Sequence, residues 1–212
     1  MEIDVWADVV CPWCLLGKRR FEAALERFED RDDVTVRWRS FELDPAAARE
    51  HETDAATRLA EKYGMSLEEV HQRHAQLEAM GAEEGAEFHF DRVRGGNTFD
   101  AHRLVQLAAD RGLQDAVIER IMRANFADGE AIGDPATLER LAVEAGLDAH
   151  EAREVLLTDR YGEAVREDER LAASVGITGV PCFVVDRRLA VSGAQPPDVL
   201  LQLLREGRAR AA

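Results

Sequence analysis

Two cysteines three positions apart, Cys11 and Cys14, with Pro12 and Trp13 between them, constrain this chain most. Their thiols can close on each other only where the backbone turns, and a strand running into the first turn of a helix makes such a turn. The flanks have that form. Over residues 3–8, Ile3, Val5 and Ala7 face one way and Asp4, Trp6 and Asp8 the other, a period of two despite the apolar Trp6. From Pro12 onward Leu15, Leu16, Phe21, Ala24, Leu25 and Phe28 fall at helical spacing. Proline is tolerated in a first helical turn, where its missing N–H costs nothing. Cys11 is therefore expected at a helix N-terminus, where free N–H groups and the positive dipole end stabilise a thiolate and lower a thiol pKa. Cys14, one turn further in, is expected to be more buried and suited to resolve a mixed disulfide.

A zinc site would need two more ligands at close spacing. The one other cysteine, Cys182, stands alone, and no histidine forms a short-spaced pair with it. No metal is expected. Two inert core cysteines are the other bland alternative; the strand–CxxC–helix context favours a redox pair.

The rest of the chain frames the motif. At 212 residues it can bury a sizeable core, as one domain or one domain with a large insertion. No run of eighteen apolar residues occurs, so no membrane span is expected. The acidic start, Met1 to Asp4, enters a strand directly, which predicts no secretory signal and a cytoplasmic protein. There a CxxC pair is more often catalytic than structural. The net charge of −15 argues against nucleic-acid and anionic-membrane partners.

After a turn at Asp32 and Asp33, residues 34–41 alternate Val34, Val36, Trp38 against Thr35, Arg37, Arg39 and predict a second strand. Strand, helix, strand is a βαβ opening and needs a parallel pair. Residues 54–176 then read as almost wholly helical. Ser66 with Glu69 forms a capping box, a glycine break is expected over residues 81–85, and residues 88–90 suit a short extended piece. Helices are expected over 98–111 and 115–127. Asp134-Pro135 starts another, stopped by Gly146, and Asp148 caps the next, which runs to about residue 175 with a break near Gly162. Gly179-Val180-Pro181 signals a turn. Residues 182–186 and 189–192 form a hairpin across Arg187-Arg188, and Pro196-Pro197 starts a last helix burying Val199, Leu200, Leu203 and Leu204.

With the helical block removed, this order is a thioredoxin fold. The chain resembles the DsbA-like thioredoxin superfamily, in particular its FrnE-like branch of cytoplasmic thiol–disulfide oxidoreductases. The resemblance rests on residues 8–20 around Cys11 and Cys14, on 41–45, on 97–104 (Asn97 to Leu104), on Gly179-Val180-Pro181 and on 191–196, in that order. It implies an α/β protein with residues 1–45 and 163–212 as the thioredoxin-fold domain and 46–162 as an all-helical insertion. It implies a cis Val180–Pro181 bond facing the redox pair, with the Val180 backbone offered to an extended substrate. It departs from the superfamily at Val5, where many thioredoxin-fold enzymes carry a buried acid that helps deprotonate the resolving thiol. Asp8 and Glu42 are the nearby acids, and Asp8 reads as a solvated strand end.

The activity implied is thiol–disulfide exchange of the protein disulfide oxidase or isomerase type, with Cys11 as nucleophile and Cys14 resolving. Pro12, Trp13, Val180, Pro181, Asn97, His102 and Gln195 are the candidate substrate-side residues. Trp13 is expected as an exposed apolar platform, Asn97 as a helix start, and His102 at the border of the active-site groove. Gln195, with Ser192, belongs to a loop that in the more distant kappa-class glutathione transferases and 2-hydroxychromene-2-carboxylate isomerases holds a thiol cofactor's carboxylate end. Cys182 is expected as a small buried hydrophobe turned away from the site. No tightly bound cofactor is expected. Glutathione or another low-molecular-weight thiol is the expected redox partner, protein or small-thiol disulfides are the substrates, and the protein is a monomer or homodimer. A glutathione-dependent isomerase or transferase and a non-enzymatic binding module are the alternatives.

Overall fold

The computed structural model describes residues 1–51 and 53–211. The βαβ opening is present: β1 (Glu2–Ala7), α1 (Pro12–Glu26) and β2 (Thr35–Ser40), with β1 and β2 parallel and Val5 opposite Trp38. The helical stretch follows as α2 (Ala55–Tyr63), α3 (Leu67–Glu84), α4 (Phe99–Ala109), α5 (Gln114–Arg123), α6 (Pro135–Glu144), α7 (Ala149–Leu157) and α8 (Gly162–Ser174). The hairpin of β3 (Cys182–Val185) and β4 (Leu189–Ser192) and the helix α9 (Pro197–Ala211) close the fold. The strand order is β2-β1-β3-β4, with β3 antiparallel to both its neighbours. The architecture is α/β, a DsbA-like thioredoxin fold carrying a helical insertion. Among the described residues no helix is long and apolar enough to cross a membrane.

Side-chain caps set four of the helix starts. The Asp54, Asp134 and Asp148 carboxylates accept backbone N–H groups of the first turns, and Ser66 and Glu69 make the full capping box. Gly146 ends α6 with φ 102°. The strands are covered on both faces. Ile3, Val5, Phe183 and Val185 pack towards α1 and α9, where the Phe21 and Phe183 rings stack at 5.3 Å. Trp6 and Cys182 pack on the other side with Ala172 of α8. That second face holds a buried ion triad. Arg39 donates to Asp4 at 2.6 Å and to Asp168 at 2.9 Å, and Asp168 also accepts Ser40 N at 2.9 Å and Gln106 Nε2 at 2.6 Å. Removing one member of such a cluster strands the others and costs about 3–5 kcal/mol.

Several local expectations change. The glycine break does not open at Gly81. Instead α3 runs on to Glu84 and ends at Gly85, with φ 74°. Gly81 is needed for closeness, because a side chain there would strike the Ala86 carbonyl and the Phe88 ring. Residues 88–90 form no strand. His89 N bonds Phe126 O at 2.8 Å, and the Phe88 and Phe90 rings pack against Phe126. The helix expected over 115–127 is regular only to Arg123 and finishes as a π-helical turn, Ala124–Asp128. Val199 lies exposed, while Leu201 joins Leu200, Leu203 and Leu204 in the core.

Candidate functional site

Cys11 is the N-cap of α1, with Pro12 opening the helix and no acidic residue in its first turn. Extended backbone at Cys11 (φ −91°, ψ 112°) turns the strand exit into the helix. Cys11 N donates to Asp8 O at 3.1 Å, and Cys14 N donates to Cys11 O at 3.0 Å. The helix therefore starts with its free N–H groups around Cys11. Both cysteines are free thiols. Cys11 is 5% exposed and Cys14 0%, whereas Trp13 between them is 43% exposed. Burial pushes the Cys14 thiol well above the usual thiol range, and the neighbouring Cys11 sulfur adds to the shift.

The Val180–Pro181 bond is cis. The Cys11 thiol faces the Val180 carbonyl at 3.8 Å, so the proline turn and the cysteine share one site. Two features hold the turn there. Gly17 offers Pro181 a surface without a side chain, and Gly193 N donates to Pro181 O at 2.7 Å. Gln195 Nε2 donates to Ser192 O at 2.9 Å and so fastens the loop that carries Gly193. Cys182, the next residue after the turn, points to the opposite face beside Trp6 and Ala172, and burial raises its thiol.

Asn97 is occupied within the scaffold. Its Oδ1 accepts Phe99 N at 3.0 Å at the start of α4, and its Nδ2 donates to Pro45 O at 3.3 Å. It joins α4 to the segment after β2. His102, expected at a groove border, lies underneath instead. It is 1% exposed, and its Nε2 is 3.3 Å from Asp8 Oδ1. Burial alone would lower the His102 pKa; the Asp8 hydrogen bond, with the charges of Asp8, Glu42 and Glu169, outweighs it and the net direction is up.

Asp8 is not a solvated strand end. It is fully buried, with Oδ2 accepting Leu43 N at 2.8 Å. The segment after β2 and helix α4 close over it. Glu42, also buried, accepts from Arg166 Nη1 at 2.5 Å through Oε2, while its Oε1 has no partner among the described residues. Burial pushes its carboxyl up, and Arg166 offsets only part of that. Three ionisable side chains, Asp8, His102 and Glu42, thus sit buried together where α4 and the segment after β2 meet the end of β1. The sequence named all three, but their convergence depends on α4 crossing the strand ends. Gly17 had no sequence signal of its own.

One thiol therefore faces the Val180–Pro181 turn, and the other lies behind it with no exposed surface. A solved structure of a probable DsbA oxidoreductase from Streptomyces coelicolor is 46% identical, with a TM-score of 0.95, over 99% of this chain and 90% of that one. The protein YwbO of Bacillus subtilis (strain 168), described as uncharacterized, is 28% identical over 201 residues, 94% of this chain and 93% of its own length. The cytosolic disulfide reductase DsbM of Pseudomonas aeruginosa, solved with GSH, is 19% identical with a TM-score of 0.69, over 99% of this chain and all of that one, and shows likeness of fold. The model of the DSBA-like thioredoxin domain matches residues 2–205, and the chain belongs to that family.

Proposed function

We propose that this chain is a thiol–disulfide oxidoreductase of the protein disulfide oxidase or isomerase type, working through Cys11 and Cys14. One observation carries the reading: Cys11 caps α1 and faces the Val180 carbonyl at 3.8 Å, while Cys14 sits one turn behind, fully buried. Family membership and the 46% identical oxidoreductase support it.

In this mechanism the Cys11 thiolate attacks one sulfur of a substrate disulfide. A Cys11–substrate disulfide forms and one substrate thiolate leaves. Cys14, as thiolate, then attacks the Cys11 sulfur. The Cys11–Cys14 bond forms, the bond from Cys11 to the substrate breaks, and the second substrate thiolate departs. The substrate gains two electrons and the pair is oxidised; the reverse sequence oxidises a dithiol substrate. An extended substrate segment pairs with the Val180 backbone beside Pro181, and Trp13 with Pro12 supplies an apolar surface next to the thiols. Asn97 and Gln195 act through the scaffold, by fixing α4 and the loop behind Pro181. Glutathione or a comparable small thiol exchanges with the pair from solution, and the cytoplasm is the compartment in which such a pair cycles.

The test is exchange on a scrambled or insulin-type protein substrate. It is run beside isomerase activity on an aromatic substrate with glutathione. Exchange that disappears in Cys11→Ser is the expected result. Exchange that survives Cys11→Ser rejects the reading, and isomerisation without exchange favours a glutathione-dependent isomerase.

A further inference from the structure

The loop after β4 stands behind the proline turn and is anchored on α1. Gly193 N donates to Pro181 O at 2.7 Å, and Gln195 N donates to Gly193 O at 2.9 Å. Gly193 has φ 84°, a left-handed value that glycine adopts without strain. The tight bend presents the Ala194 carbonyl to α1, where Arg20 Nη1 donates to it. The same guanidinium grips Glu84, at the end of α3, as a fork: Nε donates to Oε2 and Nη2 to Oε1, each at 2.7 Å. Nη2 also lies 3.4 Å from Met80 Sδ. A carboxylate held through two parallel bonds fixes the plane of a guanidinium, so the remaining nitrogen has one direction in which to donate. Here that direction is the Ala194 carbonyl.

We propose that Arg20 is a positioning residue for the substrate. Braced by Glu84 of the helical insertion, it holds the 193–195 loop, and through that loop the Val180–Pro181 turn, where an extended disulfide substrate pairs beside Cys11. The proposal rests on the reading of Val180 as the backbone that pairs with substrate. The path is continuous: Glu84 to Arg20, Arg20 to Ala194 O, Gly193 N to Pro181 O, and the Val180 carbonyl to the Cys11 sulfur at 3.8 Å. Gly17 limits how closely the turn can approach α1, and Arg20 limits how far the loop behind it can retreat. The Arg20 bonds end on Glu84, Ala194 and Met80, none of them a thiol. Loss of Arg20 therefore weakens substrates that bring a peptide backbone to the turn and spares the reactivity of Cys11.

The experiment mixes the full-length reduced protein, in excess and at rising concentration, with a short peptide whose cysteine carries a thiopyridyl group through a disulfide. The Cys11 thiolate attacks the peptide sulfur, a Cys11–peptide disulfide forms, and pyridinethione leaves with the electron pair of the old bond. Its release gives a half-saturating concentration, which reports pairing with the turn, and a limiting rate, which reports attack. Dipyridyl disulfide, with the same leaving group and no backbone, is run beside it. Arg20→Gln is expected to raise the half-saturating concentration for the peptide roughly tenfold, the scale of one lost charge-assisted hydrogen bond, while the limiting rate and the dipyridyl disulfide rate stay within about twofold. Arg20→Lys, which can still donate to Ala194 O, should recover part of the binding, and Glu84→Gln should show a smaller rise than Arg20→Gln. An unmoved half-saturating concentration in folded Arg20→Gln, or an equal loss with dipyridyl disulfide, overturns the proposal. If Arg20→Gln does not fold, the same two outcomes in Glu84→Gln overturn it. A wild-type chain that releases pyridinethione from neither probe overturns the exchange reading itself, and this proposal with it.

Discussion

Gly17 and Pro181 approach so closely that a Cβ built on Gly17 would lie 2.9 Å from Pro181 Cγ and 3.5 Å from Phe183 Cζ. This contact sets the spacing between α1, which carries both cysteines, and the turn that faces Cys11. Adding a methyl group where no space exists costs about 1–3 kcal/mol through shifted backbone and side chains. Gly17→Ala should lower stability by that amount in denaturant unfolding and slow exchange with small disulfides, because Val180 is pushed away from Cys11. Unchanged unfolding and exchange would mean that the contact does not position the turn.

Three buried ionisable groups tie stability to pH in one direction. Glu42 (burial against Arg166), His102 (burial outweighed by Asp8) and Cys14 (burial, then Cys11) are all shifted upward from their ordinary values of 4.5, 6.5 and 9.0. The folded state therefore holds these protons more tightly than the unfolded chain. The stability they contribute is complete below those ordinary values and is lost as pH rises through the folded ones. For His102 the loss begins above 6.5. The wild-type stability advantage over His102→Gln should shrink with rising pH from there. An advantage that stayed constant or grew would contradict the assigned direction.

Trp13 exposes 43% of its surface beside the thiols and is not needed by the core. Surface substitutions away from special features usually change stability by about 0.5 kcal/mol or less. Trp13→Ala should alter unfolding by no more than about 1 kcal/mol. It should lower kcat/KM for a protein disulfide substrate while the rate with oxidised glutathione stays within about twofold. Equal losses for both substrates would assign Trp13 to the thiols' own chemistry instead of to substrate contact.

What the sequence disclosed follows from which forces act locally. The CxxC turn, the βαβ opening, the Asp and Ser caps and the hairpin each depend on neighbours within a few residues, and each was legible. The polar face of β1 was not. Asp4 and Arg39 look like solvated strand residues until α8 brings Asp168 against them. Asp8 misled for the same reason, since its burial depends on Leu43 and on His102 from ninety-four positions away. The π-helical turn at Ala124–Asp128 and the straight passage of α3 through Gly81 reflect how Phe88, Phe90 and Phe126 pack. Side-chain periodicity does not report that packing.

The central assignment, Cys11 attacking and Cys14 resolving, is tested most directly by trapping the intermediate. Reduced Cys14→Ser is incubated with oxidised glutathione, and the intact protein and its peptides are weighed by mass spectrometry. The account predicts one glutathionyl group, stable and located on Cys11, and none on Cys14 in the matching Cys11→Ser protein. A glutathionyl group placed on Cys14 in Cys11→Ser, with Cys11 unreactive in Cys14→Ser, would contradict it.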